Sequence, residues 1–306
     1  HVPGGERNTV AQAHSVSAND VGAGAWRKLG PVRFTNPGLL PDGQTHKPWV
    51  LMDPHRPNHA AVLDGQYLLF TVSYVKGHKM VQLARSPALA GPWKIEAEPV
   101  LSPGGHADRD GWHVDTVTAY WFADKQRILI YYKAYPAAPR SDQPGSPWGS
   151  SLCAAEMGPS ERTARKLGVL VPPSPVAGHW MSGWASGLQL VPARGGGWLG
   201  LMTGSPTPPA PVDEQPRMRE PAPSLGGWAF TGAAWPVEGW NVDPHPIRWI
   251  DEVPEEARRA GVGTNLWRHH LLLVPGRRED EGGAGAYLYH NSGAYGDERL
   301  YVWAAR

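Results

Sequence analysis

Two aspartates stand in similar relation to two short apolar strands. Asp53 follows the run Trp49, Val50, Leu51, Met52 and precedes a strand expected at 59–63. Asp115 comes directly before the strand expected at 116–121. Two carboxylates brought to one place from neighbouring strands can divide the work of cleaving a glycosidic bond. One activates water or attacks, and the other supplies a proton or adjusts its neighbour's pKa. Asp53 is followed by Pro54, and Asp-Pro is also a common backbone-capping turn. His113 lies two residues before Asp115, within reach of the same place.

These residues sit in a recurring hydrophobic phrase. Residues 59–74, 116–135, 186–205 and 269–294 each read as an apolar strand, a turn marked by glycine or by length, and a second strand rich in aromatics or bulky aliphatics. Strand, turn and strand at such intervals is the pattern of an all-β β-propeller, whose sheets surround a central channel with the pocket where the innermost strands begin. Blades are expected over 49–101, 113–176, 182–250 and 262–296. The last strand, 299–306, is expected to pair with the strand at 26–34 and close a fifth blade from both chain ends, which removes exposed sheet edges. The expected organisation is therefore a flexible segment at 1–25 and one five-bladed β-propeller domain over 26–306. A Pro-rich loop at 205–224 is expected to lie over one face, and residues 253–261 read as a short helix with Pro254 in its first turn and Gly261 at its end.

Composition agrees with strands and tight turns: 37 Gly, 32 Pro and 41% hydrophobic residues in 306. The 15 Trp outnumber the 4 Phe, a bias that suits flat polar ligands such as sugars. A formal net charge of +1 provides no global field for nucleic acid or an anionic membrane. No apolar run approaches the roughly 18 residues of a membrane span. Cys153 is alone, which rules out an internal disulfide. The chain opens on His1 and a polar segment, giving the expectation of a secreted or periplasmic bacterial protein freed of a signal peptide.

The stretches NPGLLPDG (36–43), MDPHRPNHAAVLDGQYLLFTVSY (52–74) and the phrase with Ala84, Ser86, Gly91, Pro92 and Trp93 resemble the first blade of five-bladed glycoside hydrolases, family 43 in particular. Tyr289 and His290 match a Tyr-His phrase of that family's fourth blade. The resemblance covers most of 36–133 and 262–305. It implies a glycoside hydrolase with Asp53 as general base, Asp115 as pKa modulator and a third-blade Glu as general acid. That Glu is missing, since the third blade has Ala185 or Ser186 in its place. His179, His290, Glu214, Glu220 and Asp243 are the substitutes considered, with His179 and His290 preferred.

The expected activity is hydrolysis of an arabinose-, xylose- or galactose-containing glycan by a monomer. Trp49, Trp112, His113, Trp180, Trp184 and Arg268 are expected to line the sugar site. No protein metal site is expected, because His269-His270, His245 and Asp243 show no ligand spacing; a single channel cation such as calcium would suit a propeller. A non-catalytic carbohydrate-binding propeller is the alternative reading. Arg56, His59, Arg85 and Arg268 are the residues on which a glycoside phosphorylase would rest.

Overall fold

The computed structural model describes residues 11–15, 26–40, 45–104, 110–137, 149–176, 178–206, 225–247, 268–273, 286–292 and 299–305. Their regular structure is almost wholly β. The strands are β1 (Ala11–Ser15), β2 (Trp26–Pro31), β3 (Thr45–Val50), β4 (Val62–Leu63), β5 (Gln66–Val75), β6 (His78–Ser86) and β7 (Lys94–Ile95). Then follow β8 (His113–Phe122), β9 (Arg127–Tyr135), β10 (Ser151–Met157), β11 (Arg165–Val171), β12 (Trp184–Pro192), β13 (Trp198–Ser205), β14 (Leu225–Thr231) and β15 (Asn241–Val242). The last three are β16 (Arg268–Leu273), β17 (Ala286–Ser292) and β18 (Arg299–Ala305).

Turn chemistry sets the hairpins. Asp64-Gly65 and Lys76-Gly77 each place two successive residues at positive φ, the type I′ geometry that matches the twist of a two-residue hairpin. The central strands of the sheets are covered on both faces. In β9, for example, Ile128 through Ala134 are all buried, as a strand covered on both sides requires. Phe70, Leu83, Val117, Phe122, Tyr131 and Leu152 belong to one core cluster that runs from sheet to sheet.

The described strands make five antiparallel sheets: β3–β7, β8–β11, β12–β15, β16–β18 and the pair β1–β2. β3, β8, β12 and β16 are the inner strands, stitched side by side through side chains. Trp49 donates its indole N–H to the Ala119 carbonyl at 3.0 Å, and the Thr118 hydroxyl donates to Leu188 at 2.6 Å. Gln189 exchanges two bonds with the Leu271 backbone, at 2.8 and 2.7 Å. The circuit returns to the first sheet at Asn58, whose amide donates to the Leu273 carbonyl and accepts from the Leu273 N–H at 3.3 Å.

Three expectations change. The inner strand of the first sheet is β3 at 45–50, not 59–63; of that stretch Val62 and Leu63 pair with β5 in continuation of β3, and Ala60 bridges Met52. The chain ends do not share a sheet among the described residues. β18 pairs with β17, while β2 pairs with β1. The segment after β2 packs on the outer edge of the first sheet, where Phe34 bridges Trp93 and a small cluster of Val32, Leu40, Trp93 and Ile95 is buried. Residues 11–15, expected to be flexible, form a strand because β2 offers them a partner edge. The helix expected at 253–261 and the loop at 207–224, with Glu214 and Glu220, lie outside the described residues.

Candidate functional site

Three inner strands carry the same irregularity near their starts. The pairing of β3 with β5 skips between His46 and Trp49, that of β8 with β9 between Asp115 and Thr118, and that of β12 with β13 between Ser186 and Gln189. Within each gap one residue takes the left-handed conformation: Lys47 at φ 54°, Thr116 at 49° and Gly187 at 61°. Such a bulge bends the strand and re-aims the side chain beside it. Glycine adopts this conformation freely, whereas Lys and the β-branched Thr are held there at a cost of about 1–3 kcal/mol each. The repeated bulge makes His46, Asp115 and Ser186 equivalent positions around the channel mouth.

Asp115 is the centre of this end. Its carboxylate has no exposure and accepts from the Lys47 ammonium at 2.5 Å and from Lys79 at 2.9 Å, with His46 Nε2 4.0 Å away. Its other oxygen accepts the Thr116 N–H at 2.7 Å, which helps hold the strained bulge. Burial alone would raise the Asp115 pKa, but Lys47, Lys79 and His46 override it and hold the carboxyl well below the usual range. Burial opposes the Lys79 charge, yet Asp115, Tyr135 and Tyr74 more than offset it, so Lys79 titrates above the ordinary lysine range.

Lys133, opposite Asp115 in the ladder, completes a triad of lysines. Burial first, then the charges of Lys47 and Lys79, press its pKa well below the usual value, and Asp115 opposes them only in part. Its amine sits 3.8 Å over the Trp184 ring and 4.7 Å over Tyr135, contacts that favour the ammonium but do not outweigh burial. His113 is buried under Trp112, whose ring stacks on it at 4.0 Å, and its Nδ1 accepts the Lys79 backbone N–H at 3.1 Å. Burial and the charge of Lys79 bring its pKa down to about 3, so it is a neutral acceptor and not a proton donor. Trp112, Trp184, Tyr74 and Tyr135 are half-buried beside the lysines.

Asp53 is not here. β3 and β8 run parallel, with Met52 bridging Tyr120. Asp53 is therefore level with Trp121, about six residues further along than Asp115, roughly 20 Å at the rise of a strand. It caps a tight excursion: its carboxylate accepts the His55 N–H at 3.0 Å, its carbonyl accepts from Arg56, and its N–H donates to His59. The concavity that Asp53 borders, with Met52, Asn58, Tyr120 and Gln189, belongs to that far end. The two aspartates do not face each other.

The remaining candidates divide in the same way. Trp112, His113 and Trp184 gather around Asp115. Trp49 and Trp180 are packing residues; Trp180 is buried, fills the space left by Gly204 and Gly227, and donates its indole N–H to the Asp243 carbonyl. His179 is stacked on Trp180, away from the lysines, and burial lowers its pKa. Asp243 is an exposed turn residue whose carboxylate accepts the His245 N–H. His290 and Arg268 are placed by backbone only, opposite His269 and Asn291. Arg85 pairs with Glu96 on the outer strands, and Arg56 and His59 stand in the Asp53 excursion, so the residues on which a phosphorylase would rest are not gathered. Among the described residues no three His, Cys, Asp or Glu side chains converge as metal ligands.

Sequence reasoning missed His46, Lys47, Lys79 and Lys133. The lysines give no motif, because they come from three strands of two sheets.

No family model and no curated protein matches this sequence. Solved structures do. The chain is similar to a thermostable family-43 glycoside hydrolase, with a TM-score of 0.59 and 14% identity over 90% of this chain and 77% of that one. It is similar to an endo-1,4-β-xylanase from Bacteroides thetaiotaomicron, with a TM-score of 0.57 and 11% identity over 98% and 91% of the two chains. An endo-arabinase from the same organism gives 0.55 and 11% over 98% and 95%. This chain is a β-propeller. At such identities the likeness is one of backbone, and the mouth of the propeller has its own residues.

Proposed function

We propose that this propeller is a glycoside hydrolase acting at the channel mouth, with arabinose-, xylose- or galactose-containing glycans as its substrate class. The observation that carries the reading is the repeated bulge, which puts His46 and Asp115 at equivalent inner-strand starts in a fold similar to that of glycoside hydrolases. The endo-arabinase and the xylanase among the similar structures support the substrate class. Asp115 is too enclosed to touch substrate, so its part is to position Lys47, Lys79 and His46. His46, 18% exposed and 4.0 Å from that carboxylate, is the imidazole of this cluster that reaches solvent, and it moves the proton of the attacking water. Trp112 and Trp184 offer aromatic faces to the sugar.

The test is turnover on a panel of such glycans with the full chain and its His46→Gln variant. Loss of a proton-transfer group lowers turnover by about 10²–10⁴-fold, with the melting temperature and sugar binding retained. Unchanged turnover in the variant removes His46 from the reaction. One observation favours a second reading, a non-catalytic carbohydrate-binding propeller: Ser186 holds the third equivalent position, where the resemblance implies an acidic residue. Sugar binding without turnover by the unaltered chain on the whole panel would establish that reading.

A further inference from the structure

Among the described residues, the charged groups of the mouth that reach solvent are basic, and this bears on which sugar it takes. Lys47 is 28% exposed and Lys79 18%, while the carboxylate between them has no exposure at all. A ligand entering the mouth therefore meets ammonium groups and not the aspartate. Among the described residues two lysines converge on one carboxylate, and Lys133 stands opposite Asp115 in the ladder. A protein whose formal net charge is only +1 has concentrated like charge at one place, where it costs stability. Such convergence is offset when an anion arrives. Enclosure also strengthens the attraction relative to an exposed lysine patch.

The surroundings argue for a sugar bearing that anion in place of a bare inorganic ion. Lys79 lies 5.6 Å from the Tyr74 ring centroid and Lys133 lies over Tyr135 and Trp184, so the cations are embedded in a half-buried aromatic wall that Trp112 extends. Flat ring faces beside ammonium groups match a pyranose or furanose ring with a carboxylate or sulfate substituent.

We propose that the mouth recognises an acidic sugar residue, one carrying a carboxylate or a sulfate ester that docks against Lys47 and Lys79 while its ring lies on the aromatic wall. The proposal rests on the carbohydrate reading above and narrows it to an acidic glycan. Lys133 adds a second consequence. An anion beside it favours its ammonium form, so binding draws a proton from solution.

The test is calorimetric titration of the full chain with glucuronate, glucose 6-sulfate, glucose and inorganic phosphate, each at low salt. The acidic sugars are expected to bind about tenfold or more tighter than glucose, with the preference shrinking severalfold as ionic strength rises. Preference for glucuronate over glucose 6-sulfate, or the reverse, separates the carboxylate from the sulfate source. In Lys47→Gln the preference over glucose is expected to fall to about twofold or less. Lys79→Gln paired with Asp115→Asn repeats the test without leaving a buried charge alone. Apparent binding heats should also differ between buffers of different ionisation enthalpy for the acidic sugars and not for glucose. Equal binding of glucose and glucuronate overturns the acidic-sugar proposal and leaves the carbohydrate reading standing. Binding of no sugar, together with no turnover on the glycan panel, overturns both. Inorganic phosphate binding as tightly as the acidic sugars overturns the sugar part and points to a plain anion site.

Discussion

The two ends of the inner strands are built on opposite principles. At their starts, Asp115 holds Lys47 and Lys79 in a charged cluster beside two strained bulges and half-buried aromatic rings. At their far end, the Asp53 excursion carries Asn58 to Leu273 and joins the fourth sheet to the first through neutral, paired hydrogen bonds. Trp49 packs there against His270 at 5.5 Å and against Tyr120 at 5.8 Å. The far end resembles the rest of the core, with satisfied backbone and ring-on-ring contact. The mouth keeps charge, strain and exposure together, the combination that persists where a ligand contributes the missing interactions. The difference teaches that a carboxylate next to a strand says little until the strand's direction is known. Asp53 and Asp115 are alike in sequence and stand at opposite ends of parallel strands.

The largest effect that would sharpen this contrast comes from the centre of the mouth. Replacing Asp115 with Ala leaves Lys47 and Lys79 crowded without that carboxylate between them, and should destabilise the fold by about 3 kcal/mol, read as a lowered melting temperature. The same carboxylate gives the mouth a pH signature. Its folded-state pKa is depressed, so its contribution to stability is present above the unfolded aspartate value, about 3.9, and is lost as pH falls below that towards the folded pKa. Melting curves between neutral and strongly acid pH should therefore converge for wild type and Asp115→Ala at the acid end. Parallel curves would break the view of the mouth as an ion-paired cluster.

The far end should answer differently. Asn58→Ala strands the Leu273 N–H and carbonyl, which predicts a loss of about 2 kcal/mol with turnover per folded molecule unchanged. A loss of activity larger than the loss of folded protein would show that the two ends are coupled. The smallest change is expected from Asp53→Asn. Asparagine caps a turn nearly as well as aspartate, so stability should move by only a few tenths of a kcal/mol, with turnover and sugar affinity as in wild type. A large fall in turnover would overturn the division between the ends and return Asp53 to the chemistry.

Much of the architecture was legible from local signals. Asp64-Gly65 marked a hairpin, the run Ile128 to Ala134 marked a strand, and the recurrence of such pairs indicated a propeller. These features depend on turn chemistry and on burial of neighbouring side chains, both of which are written in contiguous residues. The place of Asp115 near the start of an inner strand was legible too, because it adjoins the apolar run of that strand. Its partner was not, and spacing explains why. Asp115 precedes the second strand of its sheet by 127 − 115, twelve residues, and Ser186 does so by 198 − 186, again twelve. Asp53 precedes Gln66 by thirteen and looks like the counterpart. The true counterpart, His46, is twenty residues away, because the excursion carrying Asp53 and Asn58 is inserted between the inner strand and its hairpin.

The sequence by itself determined most of the strands and turns, the all-β class and the resemblance to propeller glycoside hydrolases, since each rests on residues adjacent in the chain. Only the tertiary structure decided which residues share the mouth. Lys47, Lys79, Asp115 and Lys133 lie up to 86 positions apart, between Lys47 and Lys133, and meet because parallel inner strands start at one end of the channel. Their charge states follow from that meeting and not from residue type. Burial acts on Asp115, Lys79 and Lys133 alike, and the balance between one carboxylate and its lysines leaves Lys79 more basic than an ordinary lysine and Lys133 less.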